Sequence, residues 1–248
     1  MTGRRDPNLN DFLAKLSPAL YAAIVPELQL VPLPRDLDLY QKPGKIDFIY
    51  FPISSIIAVV KVLMDGVAPE VATIGNDGLV GTDAFMHIYS PTTRVIVQSA
   101  GWGYRVKASV AQKLFDTEPE FRLLVLKYVH VIFSHSSQIA ACNRYHNLDQ
   151  QVCRFLLTSL DRWASDRISL THQRVADLLG VRRSGVSEVS SKLAKLDLIK
   201  YHRGCVTILN RAGLEKMVCE CYKAIKLEQK NVEFIAHCFV NGSLFTAC

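Results

Sequence analysis

Leu170 to Leu209 reads LTHQRVADLLGVRRSGVSEVSSKLAKLDLIKYHRGCVTIL, a pattern that predicts a helix, a tight turn, a second helix and a two-stranded ribbon. Thr171 is an N-cap residue by type, and Leu170 before it pairs with Val175 as a hydrophobic staple. Val175, Ala176, Leu178 and Leu179 give the first helix one apolar face. Gly180 ends it, because a residue without Cβ enters the left-handed region that a helix C-terminus needs. In the second helix Val186, Val189, Leu193 and Leu196 recur at three- and four-residue spacing, which leaves Arg183, Ser184, Ser187, Glu188 and Ser191 on the opposite side.

A helix about 10 Å across fits the major groove of B-DNA, where short polar side chains and N-terminal arginines reach base edges and phosphates. Ile199 to Tyr201 and Cys205 to Leu209 predict two strands around His202, Arg203 and Gly204, a wing whose basic tip lies along a phosphate backbone. Paired amphipathic helices also occur in proteins that never touch nucleic acid, so charge has to decide. Thr171 to Arg211 holds eight lysines and arginines against three acids, a net +5, and the whole chain carries only +6. The positive excess sits almost entirely in this segment, as expected of a DNA-binding module.

The run THQRVADLLGVRRSGV, followed by KLAKLDLIKYHRG, resembles the winged helix-turn-helix of the Crp/Fnr family of bacterial transcription regulators. The resemblance implies that Thr171, His172 and Gln173 open the helix that meets the DNA backbone and that Arg182 to Lys192 is the recognition helix, with Arg183 at the base-reading position. Ser184 stands where a glutamate is common, and Glu188 where an arginine or serine is more usual, so the resemblance implies the family's docking mode but does not carry over its usual half-site. The DNA-facing set is then Thr171, His172, Gln173, Arg182, Arg183, Ser184, Ser187, Glu188, Lys192, His202 and Arg203. The resemblance further implies a homodimer on a two-fold-related site in double-stranded DNA, with RNA polymerase as a candidate further partner.

The expected fold class is α+β: an N-terminal β-roll (a jelly-roll resembling a cyclic-nucleotide-binding domain) with a long dimerisation helix, then a winged helix-turn-helix. The expected boundaries are 1–146 for the sensor, 147–225 for the DNA-binding domain and 226–248 for an unassigned tail. A chain of 248 residues, 49% of them apolar, has room for two modest domains. Seven cysteines and an N-terminus without an apolar secretory core fit a reducing cytoplasm, and no apolar run approaches the roughly 20 residues that span a membrane.

Asn10 or Asp11 caps a first helix carrying Phe12, Leu13, Leu16, Leu20 and Ile24, with a break near Ser17 and Pro18. From Leu37 to about Lys107 short apolar segments at Asp47–Phe51, Ile56–Met64, Glu70–Ile74, Arg94–Ser99 and Tyr104–Lys107 alternate with turn signals, among them Pro43-Gly44, Ser90-Pro91 and Gly101 to Gly103. Gly75 to Gly81 resembles the turn before the family's ligand cassette. The residues at an effector pocket would be Gly81, Thr82, Thr93 and Arg94, the arginine facing a cyclic phosphate. The cassette's glutamate is missing, so a cyclic nucleotide is a weaker expectation than a different effector, or none.

Asp116 to Asn143 reads as one long helix capped at Asp116-Thr117 and apolar nearly all round, one side for the roll and the other for a twin or for an intramolecular core. A hinge belongs at Cys142 to Asp149, followed by a helix with Val152, Phe155, Leu156, Leu160 and Trp163, and Asn210 caps a last helix from Arg211 to about Ile225. Cys219 and Cys221, two apart on a helix, would point to different sides, and no second close pair completes a tetrahedral set, so no metal site is expected. Cys142, His146 and Cys153 near the hinge are more easily read as packed side chains than as a sensor. Only His87 lies in the presumed roll, too few for a cupin-type metal enzyme, and no phosphate loop or nucleophile elbow is present, so no enzymatic activity is expected. The rival reading is a cyclic-nucleotide- or metal-sensing cupin-like regulatory protein whose winged helix serves protein contacts.

Overall fold

In the computed structural model, which describes residues 5–40, 44–88, 92–162 and 167–240 with side chains to 230, the N-terminal arm is pinned by one asparagine. Asn10 caps α1 (Asp11–Ala14) by accepting from the N–H groups of Phe12 and Leu13, while its amide donates to the carbonyls of Pro52 and Gly78, each at 2.8 Å. The chain breaks at Ser17 and resumes as α2 (Pro18–Ile24) with proline in its first turn. The two helices put Phe12, Leu13, Leu20 and Ile24 into the core of the roll.

The roll has two antiparallel sheets. One, in order β1-β7-β3, joins Gln29–Leu33, Gly101–Lys107 and Phe48–Pro52; the other, β2-β6-β4-β5, joins Asp38–Tyr40, Arg94–Ser99, Ile56–Val60 and Glu70–Ile74. Leu33, Ile49, Phe51, Ile57, Val97 and Val106 meet between them and are buried. β1 was not expected from the sequence because Pro32 interrupts it. As an edge strand it needs fewer ladder donors, and Pro32 pairs with Trp102 there. Gly101, expected in a turn, instead opens β7. A Cβ at that position would lie 1.9 Å from the Ser54 carbonyl oxygen, so glycine is required by close backbone approach.

The long helix starts later than expected. α3 (Ala108–Thr117) precedes it, Glu118 is extended as a residue before proline prefers, and Pro119 opens α4 (Pro119–Tyr145). Phe121 and Val125 of α4 pack on the roll, whereas Leu126 and Phe133 remain exposed. The hinge is only two residues, His146 and Asn147. Asn147 forms a capping box with Gln150 at the start of α5 (Leu148–Asp161), whose residues 151–160 are all buried. Trp163 falls outside the described residues.

Around α5 are arranged β8 (Arg167–Ile168), α6 (His172–Leu179), α7 (Arg183–Lys195), β9 (Ile199–His202) and β10 (Cys205–Ile208). Leu196 is a correction: it lies past the end of α7 and is half exposed, and Leu198 fills the core place assigned to it. The last helix is also two. α8 (Arg211–Met217), capped by Asn210, ends at an extended Val218, and α9 (Glu220–Val240) runs back along α4. Position 225, the expected end of the DNA-binding domain, lies within α9, and residues just beyond it, unassigned from the sequence, lie along the long helix. Among the described residues no helix is long and apolar enough to cross a membrane.

Candidate nucleic-acid interface and sensor cavity

The helix-turn-helix is locked by local chemistry. The Thr171 hydroxyl accepts from the Arg174 N–H at 3.1 Å, and Gly180 takes φ +67 to close α6, whose C-terminal carbonyls of Ala176 and Asp177 accept its N–H. Leu170, Val175, Ala176, Leu179, Val186 and Leu193 form one core beneath both helices. Gly185 lets α7 approach α5 closely, since a Cβ there would meet Leu148 at 2.8 Å.

On the outer side Arg182, Arg183, Ser184 and Glu188 are all exposed, and no ion pair involves either arginine among the described residues. The wing turns at Arg203-Gly204, both at positive φ, with His202 paired to Cys205, the geometry of a two-residue primed turn; His202 and Arg203 are exposed at the tip. Thr171, Gln173 and Ser191 share the solvent side, with Gln173 donating to Asp177 at 2.7 Å.

Three expected contact residues are placed differently. The His172 ring stacks at 4.2 Å on Tyr201, its Nδ1 is 3.0 Å from the Ser187 hydroxyl, and its Nε2 is buried, so it braces α6 against α7 and the wing. Burial, with Arg183 nearby, holds its pKa below the usual value, so it is neutral at physiological pH. Ser187 is correspondingly half-buried and engaged by that ring. Lys192 is ion-paired to Asp149 on α5, a contact that raises its pKa and turns the ammonium toward the protein. Arg211, part of the sequence's cationic count, is likewise held by Asp161 and Glu215.

A cavity of about 210 Å³ lies between the roll and α4. Gly81, Thr82 and Thr93 line it with Tyr40, Val59, Val71, Ala72, Asp83 and Ile132. Arg94 does not. Its guanidinium is held bidentately by Asp38, Nε to Oδ1 at 2.6 Å and Nη2 to Oδ2 at 3.0 Å, and so is not turned toward a ligand phosphate. Among the described residues the lining contains an acid, Asp83, whose pKa is raised by burial, and no lysine or arginine.

The turn ahead of this cavity carries a connection that the sequence did not reveal. Asp77 accepts from the Gly75 N–H at 2.9 Å, from Arg162 Nε at the end of α5 at 2.8 Å, and from Gln229 on α9 at 2.9 Å. Leu79 to Asp83 immediately beyond forms a wall of the cavity, so that wall, the end of α5 and the last helix meet at one carboxylate. Gly75 makes the approach tight: a Cβ there would lie 2.6 Å from that of Arg162. A larger cavity of about 320 Å³ at this junction includes Tyr128, His135 and Arg162 in its walls.

The cysteine expectation also needs correcting. Cys219 is not on a helix but just before α9, so it and Cys221 do not diverge; both turn toward Cys142 and His146.

Comparison with known proteins agrees with this architecture. Residues 150–217 match the family model described as the Crp-like helix-turn-helix domain. A Crp/Fnr-family regulator from Eubacterium rectale superposes with a TM-score of 0.66 at 15% identity, over 85% of this chain and 98% of that one. FixK2 from Bradyrhizobium japonicum gives 0.65 at 16%, over 77% and 98%. The c-di-GMP-responsive regulator CLP from Xanthomonas campestris gives 0.62 at 14%, over 77% and 99%. No curated protein sequence matches the chain. Residues 150–217 are thus a Crp-like helix-turn-helix domain, carried by a chain with the fold of the Crp/Fnr transcription regulators.

Proposed function

We propose that the protein is a DNA-binding transcription regulator that reads a two-fold-related site as a homodimer. The observation that carries this reading is the exposed row Arg182, Arg183 and Arg203, without an ion-pair partner among the described residues, at the N-terminus of α7 and the tip of the wing. A helix presenting its N-terminal arginines and a basic hairpin beside it match a major groove flanked by phosphates. Arg183 is the base-reading candidate, Ser184 and Glu188 stand beside it on the same face, and Glu188 has the chemistry to accept from a cytosine amino group. Thr171, Gln173, His202 and Arg203 supply backbone contacts, while His172, Ser187 and Lys192 hold the frame.

Dimerisation rests on α4, where Leu126 and Phe133 are exposed at 53% and 69% on a face that neither the roll nor α9 covers. One recognition helix reads few base pairs, and a second one turn of DNA away multiplies affinity and specificity. The cavity favours a small, largely apolar effector without a phosphate, because Asp83 would repel one and Arg94 is engaged by Asp38. An effector would act by moving the wall next to Asp77 and so the pull on Arg162, provided it binds two arrangements of the head with different affinity.

Selection of bound fragments from random DNA with the purified protein tests the reading. Recovery of a palindromic site supports it. Failure to enrich any sequence favours the alternative use of the winged helix for protein contacts.

A further inference from the structure

Cys142 and His146 lie one turn apart at the C-terminus of α4, and Cys219 and Cys221 bracket the start of α9. One ligand atom from each lies within 4.8 Å of all the others. The Sγ atoms of Cys142 and Cys219 are 3.6 Å apart, and Cys221 Sγ is 3.4 Å from His146 Nδ1. A tetrahedral ion with bonds of about 2.3 Å to sulfur and about 2.0 Å to nitrogen has edges of about 3.5 to 3.8 Å. A disulfide would need about 2.0 Å, so these are separate thiols set at the spacing of co-ligands.

The surroundings point the same way. His146 presents Nδ1 to the cluster while Nε2 lies 3.2 Å from the Glu220 carboxylate, the outer partner that fixes the tautomer of a metal-bound imidazole. Gln138 donates to Cys221 Sγ at 3.0 Å, and the fully buried Arg154 donates from Nε to Cys142 Sγ at 3.3 Å. Three thiolates on a divalent ion leave one net negative charge, and a buried guanidinium against one sulfur balances it.

We propose that Cys142, His146, Cys219 and Cys221 form a closed tetrahedral site for a thiophilic divalent cation, zinc by its coordination habits, which clamps the two ends of the reading head to the long helix. Four protein ligands leave no open position, so the role is structural. The two ligand pairs flank residues 147–218, which hold the whole winged helix, and His146 belongs to the hinge itself, so the ion closes a loop around that head. Binding displaces the thiol protons to solvent, without any oxidant or reductant. The site stands independently of DNA binding.

The test begins with the full chain purified under reducing conditions, its metal content measured, then stripped with chelator and titrated with Co2+ and Zn2+. We expect about one zinc per chain, and one equivalent of Co2+ giving tetrahedral ligand-field bands and thiolate charge-transfer absorption that Zn2+ then abolishes. Glu220→Gln should weaken zinc about 10- to 100-fold with the spectrum retained, as loss of an outer-shell partner does. Cys219→Ser should lose the thiolate signature, and Cys153→Ser, a buried thiol outside the cluster, should keep it. A reduced, folded wild-type chain that contains no zinc and gives only octahedral cobalt spectra would overturn the proposal, as would an unchanged spectrum in Cys219→Ser.

Discussion

The reading head and the sensor cavity each drew attention through an arginine, and the two arginines have opposite fates. Arg183 projects from the first turn of α7 without a carboxylate partner among the described residues, whereas Arg94 is gripped by Asp38 through two hydrogen bonds. A bidentate pair of this kind has to be broken before the guanidinium can receive a phosphate. The partner of an arginine, more than its presence at an expected position, decides whether it binds a ligand or holds the fold. Arg162 on Asp77 and Lys192 on Asp149 belong with Arg94; Arg182 and Arg203 belong with Arg183.

The sharpest break of this division is Arg162→Ala. It removes the cationic partner of a largely buried pair and leaves Asp77 only the Gly75 N–H and the Gln229 amide, and we expect a loss of about 3 kcal/mol in denaturant unfolding, the low end for such pairs because Asp77 keeps these donors and is 26% exposed. Arg183→Ala should do the reverse, leaving unfolding unchanged and costing about 1 to 3 kcal/mol of binding at the selected site, measured by anisotropy. An equal loss on non-specific DNA would demote Arg183 to a phosphate contact.

A third expectation concerns His135 in the wall of the junction cavity. Burial, then Arg162 and Arg154, lower its pKa well below the ordinary 6.5, so the folded protein keeps it neutral while the unfolded chain takes up a proton. Its contribution is intact above pH 6.5 and is lost as pH falls through that value, at up to about 1.4 kcal/mol per pH unit. In His135→Leu the acid-side loss of stability should be shallower, and a profile identical to wild type would contradict this. The smallest effect is expected from Lys192→Ala, which should leave DNA affinity unchanged at low salt because the side chain is paired to Asp149. A clear loss there would return Lys192 to the interface.

The winged helix was legible because its signals are local: the Thr171 cap, the left-handed Gly180 and a 3.6-residue apolar period each act within a few residues. What the sequence concealed depends on partners far along the chain. Asp38 lies 56 residues from Arg94, and Asp77 lies 85 from Arg162. Cys142 and Cys219 are 77 apart. No periodicity encodes such meetings. The glycines misread as a turn at β7 show the same limit, because the need for Gly101 comes from the Ser54 backbone across the sheet.

DNA reading by this head is tested most directly by a salt titration of binding to the selected duplex. Unpaired arginines on phosphates predict that log K falls linearly with log salt, with a slope of about 0.9 per phosphate contact, and that the slope shrinks when Arg182 and Arg203 are replaced by alanine. Binding that ignores salt, or no binding at modest ionic strength, would contradict it.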